Sequence, residues 1–441
     1  MHRSSVSAPD LHDAPVQALG GQPRLIARLA LIGSLYLAQA IPMGFVFGAM
    51  PVVLRQQGAS LRQIGLLFLL HLPWVLKLFY AARLESLRPG PLGRRKSWIA
   101  PMQWLAALAL ACAARLDPVA GFAGIFLLLL AYNLAMATGD IAVDGYATDI
   151  LKPEELRWGA ALQASGRFVG MMLGGGLLLT LYVRLGWGPV CALLAVVTLA
   201  LSLPVLLTPE IPPVCAAQER PQGEDVCGLA DVLRLPKVRW AMPVLILPTA
   251  FLFSGFQMRL PLMSDLGLGS AVMGGVLMQW AYPAGLCCTF AAGWFLRRCG
   301  SLVLMRVLCA VGLVLTAASA WLALGGRASP VQAAWLLACD NALLGAANVW
   351  GYTLIMRLCQ GGRSGTGVAI LGSLFILPPI VLGPFVGGLG DRVGFAALYG
   401  VLGLFMVVGW RLAEALHAAA RRKGLALLSG PGPAQERAGH S

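Results

Sequence analysis

Charge is what this chain has least of. Acidic and basic side chains make up 12% of its 441 residues, against roughly 25% in an ordinary soluble domain. A globular protein that covers its surface with ionised groups is therefore excluded. Long polar stretches are also scarce, since apolar runs of about 20 residues recur throughout, each able to cross hydrocarbon as a helix. With 58% hydrophobic residues and a mean hydropathy of +0.76, the chain reads as an all-α polytopic membrane protein.

Paired cysteines are missing as well. Ten cysteines are scattered without a Cys-x-x-Cys spacing, and six of them (Cys112, Cys191, Cys287, Cys288, Cys309, Cys339) lie within apolar runs as small hydrophobes. Neither a zinc site nor a disulfide framework is expected. The sequence has no Gly-x4-Gly-Lys-Ser/Thr phosphate loop, no His-Glu-x-x-His and no nucleophile elbow. A built-in ATPase is thereby excluded, and neither a cofactor nor an enzymatic activity is expected. A membrane-embedded acyl- or glycosyl-transferase would need a catalytic His or Asp constellation at a water-facing loop, and the loops offer none.

The basic residues give a formal charge of +14, but they fall in short clusters between apolar runs, which points to topology and not to nucleic acid. Twelve spans are expected, over 25–53, 61–82, 97–115, 119–148, 159–183, 187–207, 239–260, 270–296, 301–324, 330–357, 365–389 and 394–416. The N-tail, the even-to-odd loops, the central linker and the C-tail hold 24 Lys and Arg. The opposite loops hold seven: Arg55, Arg62, Arg115, Arg184, Arg259, Arg327 and Arg392. That bias places both termini in the cytoplasm. Residues 1–23 read as a disordered tail, 24–207 as one six-helix half, 208–238 as a Pro-rich acidic linker, 239–416 as the second half and 417–441 as a second tail.

Acids within a span are costly and tend to face a pathway. Asp140 and Asp144, four residues apart in the fourth span, share one helical face. They either hold a transported proton or neutralise Arg94, Arg95 or Arg157. Lys77 in the second span either snorkels to the interface or meets an anionic substrate or Asp140. His71 is a proton relay or a core histidine, and Arg167 takes a substrate or salt-bridge role. Asp340 and Asn341 in the tenth span either bond between helices or line the cavity, as Gln39, Gln103, Gln257, Gln279, Asn348 and Trp350 are expected to. Arg94, Arg95 and Lys96 anchor the cytoplasmic side or latch it by pairing with acids at the end of the fourth span, where Asp149 sits at the interface. Gly174-Gly-Gly176 and Gly387-Gly388 suit close helix packing.

Two parallel six-helix halves joined by a cytoplasmic linker are the architecture of the major facilitator superfamily. Gly93-Arg-Arg-Lys-Ser-Trp98 with Gln103, and Gly139-Asp-Ile-Ala-Val-Asp144 through Thr148-Asp149-Ile-Leu151 to Gly159-Ala-Ala161, resemble its AmpG-like branch. That branch holds muropeptide permeases and siderophore permeases of the rhizobactin and pyochelin type. Lys77, inside Leu76-Lys-Leu-Phe-Tyr80, matches the branch's Phe-Lys-Phe-Leu-Trp pattern. Leu35-Tyr-Leu-Ala-Gln-Ala-Ile-Pro42, Leu72-Pro-Trp-Val-Leu-Lys77 and the twelve-span size are similar to the siderophore group. Three departures stand out: Arg83-Leu-Glu85 replaces the usual acid-arginine pair, Ala147 replaces a cation, and Arg167 is offset by one position. The resemblance implies a monomeric inner-membrane carrier that takes a siderophore, iron-loaded or stripped, from periplasm to cytoplasm by alternating access, with protons coupled through Asp140 and Asp144. The alternative is a muropeptide permease for cell-wall recycling.

Overall fold

The computed structural model describes residues 25–86, 93, 95–152, 155–209, 234–358, 364–425 and 427. The expected 1–23 tail, Arg94, most of the linker and the end of the C-tail lie outside the described residues. Within them the chain is helical, and twelve long helices follow one another. These are α1 (Leu25–Gln56), α2 (61–86), α3 (Lys96–Ala113), α4 (Phe122–Ile150), α5 (156–185) and α6 (Trp187–Leu207) in the first half. The second half has α7 (Pro236–Asp265), α8 (Ser270–Cys299), α9 (Ser301–Gly325) and α10 (Pro330–Leu358). Its last helical stretch breaks at Gly394, whose φ of 76° suits only glycine, giving α11 (364–393) and α12 (395–422).

Several ends differ from the sequence reading for local reasons. Asp117 accepts hydrogen bonds from the Val119 and Ala120 amides, and the resulting turn delays α4 to Phe122. Pro236 opens α7, where its missing N–H costs nothing. An alanine-rich stretch (Ala413, Ala415, Ala418 to Ala420), of the highest helix propensity, carries α12 to Arg422, beyond the expected end at 416. Arg259 does not sit in a loop, because α7 continues through it to Asp265 and leaves it 2% exposed. Of the other six, Arg115 and Arg327 lie between helices, while Arg55, Arg62, Arg184 and Arg392 lie in the end turns of α1, α2, α5 and α11 at that face.

Helices α2, α3 and α10 fall short of a bilayer span on hydropathy alone, whereas the other stretches qualify. All three carry intramembrane polar groups: Lys77 and His71 on α2, Gln103 on α3, and Asp340, Asn341 and Asn348 on α10. α1, α5 and α8 each contain a widened π turn, at Phe45–Ala49, Met172–Leu177 and Leu277–Ala281. These turns lie beside glycines at which helices touch: Gly174 packs on the Ile41 carbonyl of α1, and Gly176 on Met278 of α8. A side chain at either position would enter the neighbouring backbone.

Leu25 and Arg422 come to the same end of the bundle as the linker ends Thr208 and Arg234, here termed the linker face. There, Arg28 donates to the Ile150 carbonyl at 2.6 Å, Lys96 donates to the Thr208 carbonyl, and Lys423 lies over the Trp240 ring. At the other end, the opposite face, the two halves are joined.

Candidate functional site

A cavity of about 720 Å³ lies between the halves. Its first wall comes from α1, α2, α4 and α5 and presents Met43, His71, Trp74, Lys77, Asp144 and Arg167. Its second wall comes from α7, α10 and α11 and presents Phe253, Phe256, Gln257, Asn348, Tyr352 and Ser373, with no ionised side chain. The cavity is thus polarised, ionic on one half and neutral, amide-bearing and aromatic on the other.

On the ionic wall, Lys77 Nζ meets Asp140 Oδ2 at 2.5 Å and lies 5.1 Å from the centre of the Trp74 ring. The Trp74 indole donates to Asn133 Oδ1 at 3.2 Å, which orients that ring. Asp144, one turn beyond Asp140, accepts from the Tyr36 hydroxyl at 3.0 Å and from Gln163 Nε2 at 3.1 Å. Neither acid pairs with Arg95. Arg167 has no hydrogen-bond partner among the described residues and projects into the cavity. His71 stacks on Phe47, with ring centroids 3.7 Å apart.

Six expected cavity residues lie elsewhere, among them Gln103, buried on α3, and Gln279, exposed on α8. Asp340 is paired with Arg259, both 2% exposed, and Ser319 accepts from Arg259 Nε at 3.1 Å. The pair lies among α7, α9 and α10, inside the second half and off the cavity. Asn341 returns its amide to the Leu337 carbonyl, and the Trp350 indole donates to Ser301. Gln39 is buried; its backbone carbonyl accepts from Tyr132. Gln257 and Asn348 do line the cavity. Phe253, Phe256, Tyr352 and Ser373 gave no sequence signal, since neutral residues in an apolar helix look the same whether they face lipid, core or solute.

The basic turn at the linker face acts within the first half. Arg95 Nε reaches Asp149 Oδ2 at 2.8 Å, crossing α4 at Gly145, where any side chain would strike its guanidinium. Arg28 ties α1 to the start of α5 through Glu155 at 2.9 Å. Glu155 lies outside the spans, and the Lys152 amide, then Arg28, hold its carboxyl below the ordinary carboxylate range against the opposing effect of burial. The Arg95–Asp149 pair is made while the opposite face is shut, so it does not depend on the halves meeting at the linker face.

Among the described residues, the hydrogen bonds and ion pairs that cross between halves all lie at the opposite face. Arg55 holds Asp265 through two contacts of 2.6 Å. Gln56 donates to the Leu268 carbonyl at 3.1 Å and accepts from Ser270. The Asp391 carboxylate accepts from the Leu61 and Arg62 amides at 2.7 and 2.9 Å, capping the first turn of α2 from the other half. Gly65 lies against the Gly383 carbonyl, and Gly387 against that of Leu61. The opposite face is latched, and the cavity extends from Phe68 and Ile380 toward the linker face.

Two halves, a central cavity and a latch at one face match what the sequence families record: the chain matches the Major Facilitator Superfamily over residues 32–372. It belongs to that superfamily. As a major facilitator it is a multi-pass membrane protein and a secondary transporter. It is 25% identical over 378 residues to the anhydromuropeptide permease of Escherichia coli (strain K12), covering 84% of this chain and 76% of the permease. An uncharacterized protein of Haemophilus influenzae is 24% identical over 387 residues, covering 83% and 91%. Among solved structures, the nucleoside transporter NupG superposes with a TM-score of 0.70 at 13% identity, covering 89% of this chain and all of that one. That likeness concerns the fold alone. The permease supports the AmpG-like resemblance, whereas none of these relatives carries the name of a siderophore permease.

Proposed function

We propose that this facilitator imports an anhydromuropeptide-class solute, a sugar bearing a carboxylate-rich peptide, across the bacterial inner membrane. The observation behind this reading is the polarised cavity. Arg167 and the Lys77–Asp140 pair offer charge to carboxylates, while Phe256, Tyr352, Asn348 and Gln257 offer ring faces and amides to a sugar. The similarity to the anhydromuropeptide permease favours this substrate over the siderophore expected from the opening spans. A carboxylate- or phenolate-bearing siderophore fits the same cations and is the second reading, supported by the twelve-helix size.

Transport proceeds by alternating access. The linker face looks into the cytoplasm, since the basic residues gather there. A solute carboxylate arriving at Lys77 competes with Asp140, and the released acid takes up a proton, as does Asp144 beside it. Arg95, Lys96 and Asp149 brace the cytoplasmic ends of α3 and α4, so that the first half moves as a body.

The deciding experiment is uptake of labelled anhydromuropeptide, and separately of several ferric siderophores, into cells with and without the gene. Loss of muropeptide uptake alone supports the proposal. Loss for one siderophore alone installs the second reading, and unchanged uptake of all probes sinks both. Unaltered proton-gradient dependence in Asp140→Asn and Asp144→Asn would remove the coupling role.

A further inference from the structure

The linker face differs between the halves. In the first half, Arg28 and Arg95 are each answered by an acid, Glu155 and Asp149. In the second half, Glu414 is the single acidic residue described at that face, against Arg297, Arg298, Arg306, Arg411, Arg421 and Arg422. Topology alone asks only for an excess of cations. It does not ask for buried polar atoms without partners, and the groove between α9 and α12 contains two.

Trp410, Glu414, His417 and Arg421 fall at i, i+4, i+7 and i+11 of α12 and form one stripe. The stripe faces α9, because Arg306 Nε on α9 meets Glu414 Oε1 at 2.7 Å, with Arg411 3.9 Å from the other carboxylate oxygen. His417 is 6% exposed and its Nδ1 has no hydrogen-bond partner, nor has the buried Trp410 Nε1. Arg421 and Arg306 both lie near enough to bear electrostatically on the imidazole. Three cations therefore flank one carboxylate, leaving an excess of positive charge beside two unpartnered polar atoms.

We propose that this α9–α12 groove binds the phosphodiester headgroup of an anionic membrane lipid. Arg306 and Arg421 supply the charge, while Trp410 Nε1 and His417 Nδ1 make the hydrogen bonds. Both helices end at the linker face, α9 starting at Ser301 and α12 ending at Arg422, which sets Arg306 and Arg421 toward that end with Trp410 deeper along α12. Fixed basic groups between spans at such an end are the recognised chemistry of acidic headgroup capture. The lipid's acyl chains would run along the exposed apolar side chains of the two helices, including Val303, Val307, Val408 and Leu412. This site is separate from the cavity and does not depend on which solute the cavity takes.

The test counts lipids retained by the purified full-length protein in native mass spectrometry after exchange into phosphatidylglycerol or into phosphatidylcholine of the same chains. Arg306→Gln with Arg421→Gln is expected to reduce retained phosphatidylglycerol about fivefold per arginine. Arg297→Gln with Arg298→Gln removes equal charge from α8 and is expected to change little. Trp410→Phe, which deletes the donor and trims one ring, should weaken retention of phosphatidylglycerol more than that of phosphatidylcholine of the same chains. Equal loss in both double variants would reduce the groove to diffuse attraction and overturn the proposal, as would full retention in Trp410→Phe. Displacement of the lipid by inorganic phosphate at equal concentration would reassign the groove to a free anion.

Discussion

Lys77 Nζ on α2 lies 2.5 Å from Asp140 Oδ2 on α4, and the lysine lines the cavity while the aspartate stands behind it, 5% exposed. Removing one member of such a pair leaves the other charge uncompensated, at a cost of about 3 kcal/mol. Asp140→Asn should therefore lower the melting temperature in detergent. Lys77→Met combined with Asp140→Asn should recover most of that loss, because no lone charge remains, without recovering transport. A double variant no more stable than the single one would show that the pair is not the source of the effect.

Arg167 predicts the reverse pattern. It reaches the cavity with no hydrogen-bond partner among the described residues, so Arg167→Gln forfeits no internal contact and should leave the melting temperature near the wild type. A hydrogen bond to a charged group contributes about 1.5–3 kcal/mol, so affinity for a carboxylate-bearing solute should fall roughly 10- to 100-fold. Isothermal titration of the purified protein measures it. Unchanged affinity would take Arg167 out of the solute site.

Asp340 is expected to matter for folding and not for solute handling. Its pair with Arg259 is enclosed, so Asp340→Ala should cost about 3–5 kcal/mol and depress the yield of folded protein. Replacing both members together, Arg259→Met with Asp340→Leu, removes the stranded charge and should restore the fold with uptake intact. A well-folded double variant that no longer transports would return Asp340 to the pathway.

These residues also show how far the sequence could be read. The twelve helices were legible because each apolar run has a bilayer's length and its breaks fall at glycine, proline or charge. Lys77, His71, Asp144 and Arg167 were legible as cavity residues because an ionisable group within a span has few other places to go. The same logic failed for Asp340, since burial against Arg259 solves its problem equally well and depends on a partner 81 residues away. Trp350 failed likewise: its N–H needed an acceptor, and Ser301 on α9 supplied it. The neutral wall was illegible because its side chains carry no charge to account for.

At the linker face, pH should act through Glu155. The Lys152 amide and Arg28 hold its carboxyl below the usual carboxylate range, so the ionised form is the one the fold favours. A depressed carboxylate contributes stability above its ordinary pKa of about 4.3 and loses it as pH falls through the depressed value. Wild type should thus melt above Glu155→Gln at pH 7, and the two curves should converge on acidification below about pH 4. A gap that stays constant down to that pH would mean the contribution is not ionic.

The latch at the opposite face should set which way the cavity opens. Arg55 and Asp265 are partly exposed, so their pair contributes only about 0.5–1 kcal/mol, and the Asp391 cap on α2 about 1 kcal/mol. Each alone shifts a two-state equilibrium only a few-fold. Gly65 is different: a Cβ there would meet the Gly383 carbonyl, which is backbone and cannot turn aside. Gly65→Ala should therefore part the halves at that face more effectively than Asp391→Asn. Ser373→Cys in a cysteine-free background reports the outcome, through its labelling by a membrane-impermeant thiol reagent added on the side of the opposite face. Labelling should rise modestly with Asp391→Asn and strongly with Gly65→Ala. If Gly65→Ala labels no faster than the parent, the close approach of α2 and α11 is not what holds the face shut.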